Sequence, residues 1–245
     1  MVLLAFVWVS SPLYAGPNHL EPIEPYSRFG DGYNKLVLDI LVGSRQVDCW
    51  AVSRPSFRPE LALMLDRELI DSKPNSPTQK PKFRWYLETA VSAVEIWRWK
   101  DEIKGKPKSD LLKEAKVKRK RIEVTEELGE TVAKSWDAAL RLTRYPEQPT
   151  YGSDGTTYDF YSRGFYGTTW SPSSGIPADL VALTDQLQSL VNSGSETQPT
   201  IEKEALEAAR KLLDNAQREH EKISAIERTL NAGHLQIPPS PPSSR

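Results

Sequence analysis

Asp154 and Asp159 are the two acids nearest a run of aromatic residues, Tyr158, Phe160, Tyr166 and Trp170. Paired carboxylates beside aromatic rings are the equipment of glycoside chemistry: the acids handle protons or a nucleophilic attack, and the rings stack on sugar faces. Trp97 and Trp99, with Trp85 and Tyr86 shortly before them, form a second aromatic group that could serve the same stacking role. Each group also has a structural use. Asp154-Gly155 is a turn dipeptide, and aromatic side chains on strands pack into cores. The residues therefore define either a ligand or partner surface (Trp97, Trp99, Asp154, Tyr158, Phe160, Tyr166 and Trp170) or a small core under a strand–strand–helix unit. Asp159 is expected to face solvent.

Other chemistries lack their residues. The three histidines, His19, His220 and His234, fall outside the expected core, which disfavours a histidine-based triad or a His/Cys metal site. The single cysteine, Cys49, lies beside Trp50 in a strand-like run and reads as a buried thiol. There is no phosphate-binding glycine loop, dinucleotide fingerprint or cysteine pair. No catalytic residue, metal site or cofactor is assigned, and the balance leans away from an enzyme.

The elements that must hold these residues are strands and amphipathic helices. Thr157, Tyr158 and Phe160 favour a strand, with Tyr158 and Phe160 on one face and Thr157 and Asp159 on the other. Gly164 and Gly167 flank a hairpin connection, and Thr168-Thr169-Trp170 returns to Ser171-Pro172. A helix over about 178–192 follows, with Leu180, Leu183, Leu187 and Leu190 at helical spacing and Pro177 in its first turn. A second helix, over about 125–144, is capped by Thr125 and buries Leu128, Val132, Trp136, Ala139 and Leu140. Val47–Val52 is a strand. Asn34–Val42 and the stretch around Leu61, Leu63 and Leu65 each suit a strand or a short helix. Trp97 and Trp99 fall on one face of a strand over 91–100. Strands outnumber helices and short turns join them, which gives an α+β domain with a mainly antiparallel sheet and two packed helices over residues 33–192.

The 245 residues suffice for one such domain with appendages, and 32 basic against 33 acidic residues give no global pull toward nucleic acid or membrane. One local exception is residues 100–121, where ten Lys or Arg face four acids. That segment suits either an anionic partner or a solvated loop and edge strand protected by lysines. It has no interleaved aromatics, so nucleic acid is not the expected partner.

The ends differ from the domain. Residues 2–15 form an apolar run ending in Ala15, similar to a secretory signal with cleavage after Ala15 and too short to span a bilayer. The first basic residue is Arg28, so the basic flank of such a signal would come from an upstream start. Residues 16–32 read as an extended mature N-terminus. A polar linker over 193–200 leads to an amphipathic helix over 201–232, free to pack on the domain, pair with a second chain or project alone. Residues 233–245 form a Pro/Ser-rich tail.

The order Cys49-Trp50, Arg54-Pro55-Ser56-Phe57-Arg58-Pro59-Glu60, Ile96-Trp97-Arg98-Trp99, Trp136, Arg144-Tyr145-Pro146, Asp154-Gly155-Thr156-Thr157-Tyr158-Asp159-Phe160 and Thr169-Trp170-Ser171-Pro172 resembles small exported bacterial proteins of uncharacterised activity that carry a DGxxYxF…GxTWSP motif pair. The resemblance covers roughly residues 33–192. It implies a single α+β domain, a periplasmic or secreted location and no assigned catalytic residue. Three expectations follow. The first is a non-catalytic exported protein that binds an envelope or secreted macromolecule. The second is a cell-wall- or carbohydrate-binding protein that uses Trp and carboxylate residues, and the third a cytosolic protein whose basic segment contacts nucleic acid.

Overall fold

A computed structural model of the chain describes residues 19–23, 32–70, 81–99, 108–145 and 154–234. The signal-like run 2–15, the loop over 71–80, the basic stretch 100–107 and the tail 235–245 lie outside the described residues. Helix α1 (Gly32–Leu41) precedes strands β1 (Cys49–Pro55), β2 (Leu61–Leu69) and β3 (Phe83–Val91). A 3₁₀ turn (Ile96–Trp99), helix α2 (Lys108–Ala115), strand β4 (Lys118–Val124) and helix α3 (Glu126–Leu140) follow. Strands β5 (Thr156–Ser162) and β6 (Phe165–Trp170) then lead to helices α4 (Gly175–Asn192) and α5 (Gln198–His234).

The six strands form one antiparallel sheet in the order β4-β3-β2-β1-β5-β6. The expected α+β class is therefore the observed one. Period-two alternation decides what each face buries. Cys49, Ala51, Leu63, Leu65, Trp85, Leu87 and Phe160 point to the side covered by α3, α4 and α5. Trp50, Val52, Ala62, Met64 and Ala90 point to the side covered by α1, the 3₁₀ turn and Ala115 at the end of α2.

The two expected helices form for local reasons. Thr125 caps α3, its hydroxyl accepting the Leu128 N–H at 3.3 Å, and Glu126 and Glu127 sit in the first turn where the helix dipole favours them. The apolar stripe of α3 buries Leu128, Val132, Trp136, Ala139 and Leu140. In α4, Leu180, Leu183, Leu187 and Leu190 are buried at the same spacing. The β5–β6 hairpin turns at Arg163 (φ 46°) and Gly164 (φ 93°), consecutive left-handed residues whose twist matches the strands.

Of the arrangements open to the C-terminal helix, α5 packs on the domain as far as Ala216. Ala205, Ala209, Leu212 and Ala216 are buried in the same core as α3 and α4. These small side chains let α5 lie close against both helices. The helix begins at Gln198, inside the stretch read as a linker. Beyond Ala216 none of its described side chains is fully buried, and Ile226 is exposed. Among the described residues, no helix is long and apolar enough to cross a membrane.

Three sequence readings resolve or change. Asn34–Val42 is mostly helical, in α1, and Leu61, Leu63 and Leu65 lie in strand β2. Trp97 and Trp99 are not on a strand. Strand β3 stops at Val91, and the chain turns back in the 3₁₀ segment because the Glu60 carboxylate captures the Ile96 and Trp97 N–H groups at 2.8 and 3.0 Å. Within residues 16–32, the segment 19–23 is extended and tied down. Glu21 and Thr168 exchange two backbone hydrogen bonds of 2.8 Å, and Leu20 and Ile23 are buried.

Gly129 shows how tightly the helices meet the sheet. A Cβ there would lie 2.4 Å from the indole ring of Trp85, which is 2% exposed. Gly129→Ala gains about 1 kcal/mol of helix propensity. Overpacking against a ring with nowhere to move costs about 1–3 kcal/mol. The clash outweighs the gain: urea unfolding of the variant is expected to show a net loss of up to about 2 kcal/mol, and a gain in stability would mean that α3 can ride away from β3.

Candidate ligand cleft

The seven sequence candidates do not converge. Asp154 is an exposed turn residue. Tyr158 and Phe160 stack on one another (centroids 6.3 Å apart, 12° between planes) on the helix-covered face, where Phe160 meets Trp136 edge-on at 5.9 Å. Phe160 is fully buried. Tyr166 and Trp170 pair with Tyr161 and Thr157, and so lie on the opposite face of the sheet. Trp97 is half-buried on the 3₁₀ turn, and Trp99 ends that turn. A single platform of Tyr158, Phe160, Tyr166 and Trp170 is thus ruled out by strand parity. Asp159 does not face solvent either. It is 6% exposed, on the α1 side of the sheet.

That side holds a chain of buried polar groups. Asp159 Oδ2 lies 2.6 Å from Arg54 Nη2, and Asp159 Oδ1 accepts the Thr168 hydroxyl at 2.7 Å. Arg54 also donates to Asn34 Oδ1 of α1. Glu60 is wholly buried and accepts the Tyr33 hydroxyl at 2.7 Å besides the two N–H groups of the 3₁₀ turn. Burial, then the adjacent Glu60 carboxylate, push the Tyr33 phenol far above its usual range, so it stays a donor.

Glu88 is held by two arginines. Arg45 donates to both carboxylate oxygens, at 2.7 and 3.0 Å, and Arg119 Nη1 adds a third bond of 3.0 Å. Arg119 also donates to the Ile40 carbonyl at 3.2 Å, which ties β4 to the end of α1. Burial alone would raise the Glu88 pKa, but the hydrogen bonds and charges of Arg45 and Arg119 outweigh it and hold the carboxyl below its usual value. On the other face the Cys49 thiol, buried and bonded to Ser162, is pushed up to about 12 by its burial and stays protonated at neutral pH.

The Arg45–Glu88 clamp positions a cleft of about 470 Å³. Its floor is Trp50, Tyr161 and Tyr166. Trp50 and Tyr161 stack at 5.7 Å with 20° between planes, and Tyr161 and Tyr166 meet at 4.8 Å. Its wall is Leu38 and Val42 of α1 and its last turn, and its lip is Gly43, Arg45, Gln46 and Val47. The half-buried tyrosines offer ring faces and hydroxyls, and the exposed Arg45 and Gln46 offer donors at the rim. Burial, then the neighbouring Tyr161, raise the Tyr166 pKa, so its phenol stays neutral. Such a surface can stack on the C–H face of a ring while the rim bonds hydroxyls around it.

A second cavity of about 480 Å³ lies between the start of α4 and α5, but it is lined by charges of both signs, and Asn215 donates to Asp179 across it at 3.0 Å. Among the described residues, no group of three or more His, Cys, Asp or Glu is placed to hold a metal ion. Of the sequence candidates only Tyr166 belongs to the aromatic cleft. Tyr161 carries no sequence signal of its own; it lies directly across the hairpin from Tyr166, a pairing set by the position of the turn. Comparisons with protein-family models, with curated proteins and with solved structures returned no match.

The lowered pKa makes the clamp acid-sensitive. The stabilisation from Glu88 is present above the ordinary carboxylate value and is lost as pH falls through the lower folded one. Glu88→Gln is expected to cost about 2 kcal/mol at neutral pH and to flatten the fall in stability below about pH 4. Urea midpoints measured against pH check this; parallel curves for the two proteins would show that Glu88 does not set the acid limb.

Proposed function

We propose that the protein is a non-catalytic exported protein that binds another macromolecule, with the Trp50–Tyr161–Tyr166 cleft as its contact. The macromolecule this surface suits best is a saccharide polymer of the cell envelope or its surroundings. The observation that carries the reading is the cleft itself: stacked rings under a lip of hydrogen-bond donors. The fate of the buried acids supports binding over carboxylate chemistry. Glu60, Glu88 and Asp159 are each occupied by donors from two or more other residues. A general acid needs a carboxyl with a raised pKa, and that of Glu88 is lowered. Export rests on the apolar run 2–15 and its small terminal residue Ala15.

The test is co-sedimentation with purified cell-wall sacculi and a panel of insoluble polysaccharides. Wild-type protein is expected to be retained. Tyr166→Ala, which removes a half-buried ring from the hairpin, should weaken retention by about two- to ten-fold with its thermal transition still cooperative, since one stacking contact is worth about 0.5–1.5 kcal/mol. Equal retention of the two proteins would remove the cleft from the reading. Retention of neither would remove saccharides from it. The intact mass of protein recovered from the periplasm or medium, expected to begin at Gly16, checks export separately.

A further inference from the structure

The two edges of the sheet are treated differently. The outer edge of β6 is bridged at one position, where Glu21 and Thr168 exchange backbone hydrogen bonds of 2.8 Å. The opposite edge is β4, and among the described residues nothing pairs with its outer side. A strand edge carries a row of backbone donors and acceptors that matches another extended chain.

The chemistry of this edge is specific. Lys118, Arg119, Lys120 and Arg121 are successive and exposed, and Lys116 stands just before them. Strand alternation puts Arg119 and Arg121 on the α1 side, where they bond Glu88 and Glu68 at 3.0 and 2.7 Å. Lys118 and Lys120 project on the helix side, and Lys120 Nζ reaches the Ser193 carbonyl at 3.5 Å. The helix side of the edge is therefore cationic, whereas the α1-side arginines are already paired with Glu88, Glu68 and Asp66. Like charges set opposite one another destabilise a strand pair, so a second copy of β4 is a poor occupant. An incoming strand with acidic side chains on its helix-side face would meet complementary charge at Lys118 and Lys120 and satisfy the backbone row.

We propose that β4 is a docking edge for an acidic, extended polypeptide segment, which joins the sheet as an added antiparallel or parallel strand. Within its own chain the protein bonds the β6 edge to an N-terminal segment at one position, Glu21. The proposal is independent of the aromatic cleft.

The probe is a fluorescein-labelled peptide of alternating Glu and Val, with a Lys/Val peptide and single-stranded DNA as comparators. Fluorescence polarisation is expected to show saturable binding of the Glu/Val peptide that weakens with salt. Lys118→Glu/Lys120→Glu, two exposed positions, should weaken it on the order of ten-fold or more. Hydrogen exchange on the wild-type complex is expected to slow for amides within Lys118–Val124, which a purely electrostatic contact would not produce. Equal binding of the Lys/Val peptide, or no binding of the Glu/Val peptide, overturns the proposal. So does binding of either acidic peptide or DNA without protection of the β4 amides, which would make the edge a general polyanion surface.

Discussion

A guanidinium and a carboxylate that have both left water set the terms for this fold. Arg54 and Asp159 have side chains 8% and 9% exposed, and they join β1 to β5. Thr168 brings β6 into the same contact, and Asn34 brings α1. A buried pair of this kind adds little net stability, because desolvation consumes most of the attraction. Its leverage lies in what it forbids. Sliding β5 by one residue along β1 would swing Asp159 to the helix-covered face and leave two buried charges unpaired, a cost of several kcal/mol. The register that avoids this cost also places Tyr161 opposite Trp50. The floor of the cleft is thus fixed by an ion pair that does not touch it.

The same logic recurs in two segments with no hydrophobic period of their own. Glu60 gathers Tyr33 and the N–H groups of Ile96 and Trp97, so a single carboxylate anchors both the beginning of α1 and the 3₁₀ turn. Glu88 holds Arg45 at the lip of the cleft and Arg119 on β4. In each case the carboxylate lies in or just before a regular strand and its partners lie partly in irregular backbone. The sheet acts as a rigid frame, and charge-assisted hydrogen bonds transfer that rigidity to the loops.

These long-range pairings mark where the sequence stops being readable. Helices α3 and α4 announce themselves through apolar spacing, the Thr125 cap and Pro177, because those signals are local. The hairpin announces itself through Gly164. The tryptophans of Ile96-Trp97-Arg98-Trp99 alternate as a strand should, yet the segment turns, because the group that captures it is Glu60, some thirty-six positions earlier. Asp159 looks solvent-facing when only its neighbours are visible; its partner Arg54 is far away in sequence. The aromatic residues failed on parity. With the turn at Arg163–Gly164, Phe165 and Tyr166 belong to the strand, and Tyr166 falls on the face away from Tyr158 and Phe160.

The two faces of the sheet carry different burdens. The helix side is closed by α3, α4 and the first half of α5, with Trp85, Trp136, Phe160 and a row of leucines removed from water. Apolar burial there is the main source of stability. Among the described residues, the α1 side is covered by one short helix, a 3₁₀ turn and the end of α2, and it spends its interior on charged and hydroxyl groups. Tyr161 and Tyr166 lie half-buried there beside Arg45 and Gln46. A face built this way is stable only because the other face is fully packed. A binding surface on this fold is therefore expected on the α1 side, where polar groups are already held in place and two tyrosines are only half-buried.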